Sequence, residues 1–472
     1  MTTMLRNTKI VCTIGPKTAN KEMLLALAHG GMNVARLNFS HGTHEWHGTI
    51  IDLVHEINAE YNLHVAVMLD TKGPEIRSGD VVQPIVLKKG DHLTFTIEKK
   101  AIYEGNTVSI NYDGFLEDVS VGDIVLVDSG IMNLHVIEKT TTDVICEVLE
   151  DGTLTSRRHL NIRGKSANLP AITEKDWEDI DFGISKNVDL FALSFVNDAP
   201  VVQRLKHYLA EKGSHAHVMS KIESVDGVKN IDAIIAISDS IMVARGDLGA
   251  ELPVEDVPMV ETDIVNLCRD AGKPVVVATQ LLESMMVNPT PTRAEVTDIF
   301  YAVSLQADAI MMSGETANGN YPLKALETMQ TVALKTESTQ RLDKTVSVET
   351  KNNLKFEITV GAAVISNNIE ADGLVVFSAT GETAQLMAQC RPNAPQYIFV
   401  PTAQLARRAA ILWGARPYVL EFDESNPESS IREAIEILKK GGECMFGDTL
   451  VVVSHVLTSN ESVHGVQVRE VK

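Results

Sequence analysis

Short runs of consecutive apolar residues recur along the chain, and between them apolar residues return every three or four positions. The runs at 9–14, 33–37, 64–69, 190–195, 217–221, 240–244, 274–279 and 309–312 have the length of strands. Continuous apolar strands that alternate with amphipathic helical stretches indicate a parallel sheet covered on both faces. Eight such units predict an α/β fold of the (β/α)8 TIM barrel type. A doubly wound sheet would also be parallel, but would carry a glycine-rich fingerprint at its first turn, and none stands there.

The third and fourth runs are too far apart for one helix. Between them the texture changes to short alternating segments at 85–87, 93–97, 107–110, 124–127 and 144–148, separated by turns such as Lys89-Gly90-Asp91 and Val121-Gly122-Asp123. This predicts an antiparallel β domain inserted at the end of a barrel strand, where active-site loops emerge and a lid belongs. The α/β pattern restarts with strands at 373–377, 396–400, 416–420 and 449–454, after a polar stretch at 338–353. The expected division is residues 1–72 and 169–345 for the barrel, 73–168 for the inserted lid and 346–472 for a C-terminal α/β domain.

The 472 residues suit about three domains. The composition is globular, with 44% hydrophobic and 22% charged residues. A formal charge of −21 excludes a cationic duplex-binding face, so no nucleic-acid partner is expected. No apolar run is long enough to span a membrane. The start has no apolar signal region, and the five scattered cysteines have no C-x-x-C spacing. These features read as reduced thiols in a cytoplasmic protein.

The residues that carry chemistry gather at the C-terminal ends of the predicted barrel strands. The fifth ends in Lys221-Ile222-Glu223 and the sixth in Ala244-Arg245-Gly246-Asp247-Leu248-Gly249. Strand alternation puts Lys221 and Glu223 on one side, so Glu223 and Asp247 converge from adjacent strands beside a glycine-rich turn. Two carboxylates with open positions suit Mg2+ or Mn2+. Asn38, Ser40, Asp70 and Thr71 supply neutral and anionic oxygens for a monovalent cation, while Arg36 and Arg77 suit phosphate oxygens. Taken singly, each motif also reads as turn chemistry or solvated acids. Thr292 and Glu295 need only a structural reading, as a capping box. His41, His44 and His47 lack the spacing of a zinc helix, and Gly164-Lys165-Ser166 lacks the upstream glycine of a phosphate-binding loop. Ser378-Ala379-Thr380-Gly381-Glu382-Thr383 is either an anion site at a helix start or an ordinary capped turn.

Together, the segments 9–17, 36–42, 70–77, 220–223, 242–249, 278–285, 288–295 and 313–316 resemble the pyruvate kinase family over almost the whole chain. The resemblance implies a barrel with an inserted β-barrel lid and a C-terminal regulatory domain, usually assembled as a homotetramer. It implies phosphoryl transfer from phosphoenolpyruvate to ADP, giving ATP and pyruvate in the last step of glycolysis, with Mg2+ and K+. Carried over residue by residue, Lys221, Arg36 and Thr279 are catalytic. Gly246, Asp247, Thr279 and Lys221 hold substrate, and Glu223 and Asp247 hold Mg2+ or Mn2+. Asn38, Ser40, Asp70 and Thr71 hold K+, and Arg36, Asn38, His41, Arg77 and Lys165 face the nucleotide. Ser378, Thr380, Gly381 and Thr383 match the loop at which relatives take a phosphorylated allosteric effector. Glu382 stands where a basic residue is common, which favours a monophosphate over a bisphosphate.

There are departures. Asn197-Asp198 stands where many relatives have an arginine, Ser166 replaces a usual glycine at the lid hinge, and residues 454–472 lack a glycine-rich effector loop. A Mg2+-dependent aldolase or lyase on a related barrel would share the Glu–Asp pair but would not need Arg77, Lys165 or the lid. A non-catalytic paralogue would lack Lys221, Glu223 or Asp247, and all three are present.

Overall fold

The computed structural model describes residues 6–472 except 101, 102, 104, 166, 340–352, 424, 425, 459 and 460. Ser166 and most of the polar stretch at 338–353 therefore lie outside the described residues.

Eight strands close a parallel barrel: β1 (Lys9–Thr13), β2 (Val34–Asn38), β3 (Ala66–Asp70), β4 (Leu190–Leu193), β5 (His217–Ile222), β6 (Ser240–Ala244), β7 (Val275–Ala278) and β8 (Ala309–Met312). β1 pairs with β8, which closes the ring. Alternation along each strand divides its side chains between two cores. Ile10, Cys12, Ala35, Leu37, Val67 and Leu69 face the surrounding helices. Val11, Val34, Ala66, Met68, Ala192, Met219 and Met242 fill the barrel interior. Following the interior set by twos toward the strand ends leads from Val34 to Arg36 and Asn38, from Met68 to Asp70, from Ala192 to Ser194, and from Met219 to Lys221 and Glu223. The period that fills the barrel with apolar groups also loads its mouth with charge.

The fourth strand stops at Leu193, short of residue 195, because Phe195 has a left-handed φ of 51°. The third runs one residue further than the apolar run and carries Asp70 within it. After Ala244 the chain turns at once into a helix, Arg245–Glu251, where the sequence suggested a glycine-rich turn. Thr292 and Glu295 form the expected capping box of the helix Arg293–Ser304.

The insertion is a seven-stranded sheet with its own apolar core. It curls until its two edges meet at the antiparallel Ser78–Ile110 bridge. Four of the insertion's strands escaped the sequence pattern: Ile76–Arg77, Met132–Lys139, Gly152–Leu154 and His159–Ile162. One of its pairings, His92–Thr96 with Thr107–Ser109, is parallel, so the expectation of a wholly antiparallel domain is corrected. The lid touches the barrel where the Gly164 amide donates to the Glu251 carbonyl at 3.0 Å.

The C-terminal unit is a five-stranded sheet built on β9 (Gly373–Phe377), β10 (Gln396–Val400), β11 (Ala415–Val419), β12 (Thr449–Thr458) and β13 (Glu461–Glu470). Its last two strands pair antiparallel, an addition the sequence pattern did not indicate. This unit seals the bottom of the barrel, because Ala410 and Ile411 pack into the interior core. Around that plug, Arg391 grips Asp308 at 2.9 and 2.8 Å, and Arg407 grips Asp189 at 3.0 Å.

Candidate active site

The mouth of the barrel holds a line of alternating charge. The Arg36 Nε donates to Asp70 Oδ2 at 2.6 Å, and its guanidinium also reaches the Thr13 hydroxyl at 2.8 Å. The Lys221 ammonium lies 3.0 Å from Asp70 Oδ1 and 2.9 Å from Glu223 Oε1, and it donates to the Ser194 hydroxyl at 2.7 Å. Glu223 accepts the Phe195 amide at 2.7 Å, and its other neighbour is the Asp247 carboxyl. Arg36, Asp70, Lys221 and Glu223 are all buried, so none is a solvated loop charge.

Burial and charge set the protonation of this line. Burial alone would raise the Asp70 carboxyl, but Arg36 and Lys221 outweigh it and hold Asp70 below the usual range. Burial alone would lower the Lys221 ammonium, but Asp70 and Glu223 outweigh it and keep Lys221 firmly charged. At the far end only one cation faces two acids. Burial there pushes Glu223 up to about 7, Lys221 opposes the shift, and Asp247 adds to it. Asp247 is raised as well, chiefly by burial. Both acids are therefore pushed toward the protonated form for want of a second positive charge. Among the described residues no group of three or more His, Cys, Asp or Glu side chains forms a metal cage. A pair of hard oxygen donors short of one counter-charge fits Mg2+ or Mn2+, which complete their shells with water and substrate oxygens.

The opposite wall is set by strain. Thr279 has a φ of 73° and Gln280 of 57°, although a β-branched residue strongly disfavours this region. Arg245 holds the turn by donating to the Thr279 carbonyl at 2.6 Å and the Ala278 carbonyl at 3.3 Å. It is fixed in turn by Asp298 at 2.6 Å and Glu261 at 3.2 Å. The Thr279 hydroxyl accepts the Gly246 amide at 2.8 Å, a close approach that leaves little room for a side chain at 246.

Asn38, Ser40, Asp70 and Thr71 sit side by side. Asn38 pairs in register with Asp70, and the Asn38 side chain accepts the Ser40 amide at 3.1 Å. The Thr71 hydroxyl donates to the Ala192 carbonyl at 3.3 Å. Both Asp70 oxygens are engaged, Oδ2 by Arg36 and Oδ1 by Lys221. Arg77 and Lys165 do not touch the line. Arg77 is held by Glu75 at 2.7 Å and the Arg157 carbonyl at 2.9 Å, and Lys165 by Asp123 at 2.6 Å. His41 is exposed, and its carbonyl accepts from His47 at 2.8 Å. His44 pairs with Asp179 at 2.6 Å.

Thr13, Ser194, Phe195 and Arg245 belong to the site but were not singled out from the sequence. Ser194 had a usable signal, standing two residues beyond Ala192 on an inward-facing register. Asn197 contacts Ser224, the N-cap of the helix Val225–Lys229.

In the C-terminal unit Ser378 is buried, and its hydroxyl accepts the Ala384 amide at 3.2 Å. Gly381 is the N-cap of the helix Glu382–Gln389, with a φ of 91° and no side-chain cap. Thr380 is exposed and Thr383 half-buried. Glu382 pairs with Lys355, so its charge does not stand alone against an anion.

Buried cations, an acid pair and an inserted lid at the C-terminal mouth of a parallel barrel define an enzyme of the phosphotransferase class. Residues 5–326 match the family model for the pyruvate kinase barrel domain, and residues 357–464 match the model for the pyruvate kinase alpha/beta domain. The chain belongs to the pyruvate kinase family and is a transferase. It is 49% identical to plastidial pyruvate kinase 2 of Arabidopsis thaliana, with 99% of this chain and 82% of that protein covered. It is 39% identical to a pyruvate kinase of Staphylococcus epidermidis, covering 97% and 79%. A crystal structure of a pyruvate kinase from Cryptosporidium parvum superposes with a TM-score of 0.93 at 35% identity, covering 98% and 96%.

The acid pair makes a pH prediction. The folded state holds Glu223 above its unfolded value of 4.5, at about 7, so it keeps a proton that the unfolded chain has released. The stability this gives is present at low pH and is lost as pH rises through about 7. Glu223→Gln keeps the neutral form at every pH. In EDTA, the unfolding free energy of the variant relative to wild type should rise by on the order of 2 kcal/mol between about pH 5 and pH 8. A difference that stays flat with pH would show that Glu223 is not raised.

Proposed function

We propose that the chain moves the phosphoryl group of phosphoenolpyruvate to ADP at the Arg36–Asp70–Lys221–Glu223–Asp247 line, as the last step of glycolysis. The observation that carries this reading is the Lys221 ammonium, buried and charged between Asp70 and Glu223 beside a metal-sized acid pair. Phosphoryl transfer needs positioning and neutralisation of the equatorial oxygens more than covalent chemistry. Lys221 and Arg36 turn from Asp70 to those oxygens, and Asp70 is then free for K+ together with Asn38, Ser40 and Thr71. Glu223 and Asp247 would hold Mg2+ or Mn2+, which would supply Lewis-acid charge to the substrate. Lys221 stabilises the enolate as the phosphoryl departs. Thr279 and the Gly246 and Asp247 amides hold the pyruvate moiety, and the Thr279 hydroxyl orders the water that protonates it. Arg36, Asn38, His41, Arg77 and Lys165 face ADP, the last two brought in by the lid.

Residues 1–72 and 169–345 act as the catalytic barrel, 73–168 as the lid and 346–472 as the regulatory domain. The assembly is read as a homotetramer, as the family resemblance implies. No helix among the described residues is long and apolar enough to cross a membrane. The five free cysteines are all buried, which supports a reducing compartment, the cytoplasm in our reading. Several of the plant relatives are named plastidial or chloroplastic.

A coupled assay of pyruvate formation from phosphoenolpyruvate and ADP tests the reading. Lys221→Met should lower kcat at least about a thousandfold and leave KM for phosphoenolpyruvate within about tenfold, because its charge matters most in the transition state. Unchanged kcat with a greatly raised KM would reduce Lys221 to a binding residue.

The family resemblance implies that a glutamate at position 75 accompanies a K+ requirement and a lysine there accompanies independence; here Glu75 pairs with Arg77 at 2.7 Å and lies 3.8 Å from Lys72. Activity should fall sharply when K+ is replaced by a bulky organic cation, and Glu75→Lys should partly restore it. Full activity without any small monovalent ion would contradict this reading.

Regulation is read at Ser378, Thr380, Gly381 and Thr383, where helix-start amides and hydroxyls suit one phosphate. The Lys355–Glu382 pair adds no net positive charge for a second phosphate, so a sugar or nucleoside monophosphate is favoured over fructose 1,6-bisphosphate. Titration of each compound at subsaturating phosphoenolpyruvate, repeated with Thr380→Ala and Thr383→Ala, checks ligand and loop. Stronger activation by the bisphosphate, or activation untouched by both substitutions, would refute the assignment.

A further inference from the structure

The lid leaves the barrel just after Asp70 and returns just before the helix Glu174–Ser185. Both connections end on one carboxylate. Asp176 is fully buried. Its Oδ2 accepts the Thr173 amide at 2.9 Å while the Asp176 amide donates to the Thr173 hydroxyl at 3.1 Å, which is the capping box of that helix, and Oδ2 also lies 2.6 Å from that hydroxyl. A cap needs only that one oxygen. The other, Oδ1, accepts the Gly73 amide at 3.0 Å, from a residue 103 positions earlier in the chain.

Gly73 opens the insertion with a φ of 71°, and a Cβ there would lie 2.7 Å from Ser194 Cβ and 2.9 Å from Phe195 Cδ2. Those two residues are the ones that meet the charged line. Ser194 accepts from Lys221, and the Phe195 amide donates to Glu223. Ser194 is zipped to the outgoing chain as well. Its amide donates to the Thr71 hydroxyl at 3.1 Å, and its hydroxyl donates to the Thr71 carbonyl at 2.7 Å.

We propose that Asp176 is a positioning residue that fastens both ends of the lid to the barrel wall, and so presses Gly73 against Ser194 and Phe195 behind Lys221 and Glu223. The proposal rests on the phosphotransfer reading above and deepens it: Asp176 touches no reacting atom, and acts through the two residues that touch Lys221 and Glu223.

Asp176→Asn replaces an acceptor oxygen by a donor and cannot serve both Gly73 and Thr173. Thr173→Ala weakens the cap and leaves the Gly73 bond. If Asp176 were only a helix cap, both variants would lower the melting temperature and neither would change kcat. The proposal expects Asp176→Asn to lower kcat about tenfold with KM for phosphoenolpyruvate within about threefold, and Thr173→Ala to keep kcat within about twofold. It also expects a broader distance distribution between spin labels placed at the exposed Val86 of the lid and Val287 of the barrel, measured with ADP and Mg2+ in Asp176→Asn. Wild-type kcat and distance width in Asp176→Asn, or an equal loss of kcat in Thr173→Ala, would overturn it. Gly73→Ala presses the same contact from the other side and should also lower kcat. Wild-type kcat in that variant overturns the proposal even where Asp176→Asn does not fold. A wild-type protein that makes no pyruvate would defeat the functional reading instead, and the distance measurement would still decide the role of Asp176.

Discussion

The structure turns on the burial of one ammonium group. Lys221 is 8% exposed and has Asp70 on one side and Glu223 on the other. Removing ions from water costs several kcal/mol each unless close partners return it. The barrel mouth meets that cost by alternation: Arg36, Asp70, Lys221, then Glu223 beside Asp247. Each interior member has an opposite charge on both sides, and only the last acid pair is left short. On the function proposed above, a phosphate would bring negative charge to Arg36 and Lys221, and a divalent ion would bring positive charge to the acid pair.

The same mouth carries the backbone strain. Phe195 and Thr279, at the ends of β4 and β7, are left-handed residues other than glycine. Each such residue costs roughly 1–3 kcal/mol. In return Phe195 aims its amide at Glu223, and Thr279 brings its hydroxyl to Gly246. The strain is held in place by neighbours, through the contact of Gly73 with Phe195 and the carbonyl grip of Arg245 on Thr279.

The barrel was legible because parallel strands buried on both faces write continuous apolar runs, and eight of them closed in chain order. The site was legible in part for the same reason, since alternation carries the interior face directly to Arg36, Asp70, Lys221 and Glu223. The lid was harder to read. Strands such as Met132–Lys139 have one exposed face in a curled sheet, and their charged, alternating sequence resembles loop. Ile76–Arg77 is only two residues long and exists through its partner His159–Ile162. The supporting residues of the site escaped for a different reason. The bonds of Ser194 to Lys221, of Arg245 to Thr279 and of Asp176 to Gly73 span 27, 34 and 103 residues, and no local spacing encodes them.

The bottom of the barrel answers to the same logic as its mouth. Asp189 and Asp308 stand immediately before β4 and β8, and each is clamped by an arginine of the C-terminal unit, Arg407 and Arg391. β4 is only four residues long. One residue before it, Asp189 is held by the C-terminal unit, and one residue after it, Ser194 receives the Lys221 ammonium. A strand hydrogen-bonded on both sides inside a packed barrel is stiff along its length. The clamp at one end and the lysine contact at the other are therefore parts of one rigid segment. With Ala410 and Ile411 filling the barrel floor, the C-terminal unit is anchored at the starts of strands whose other ends carry the charged line.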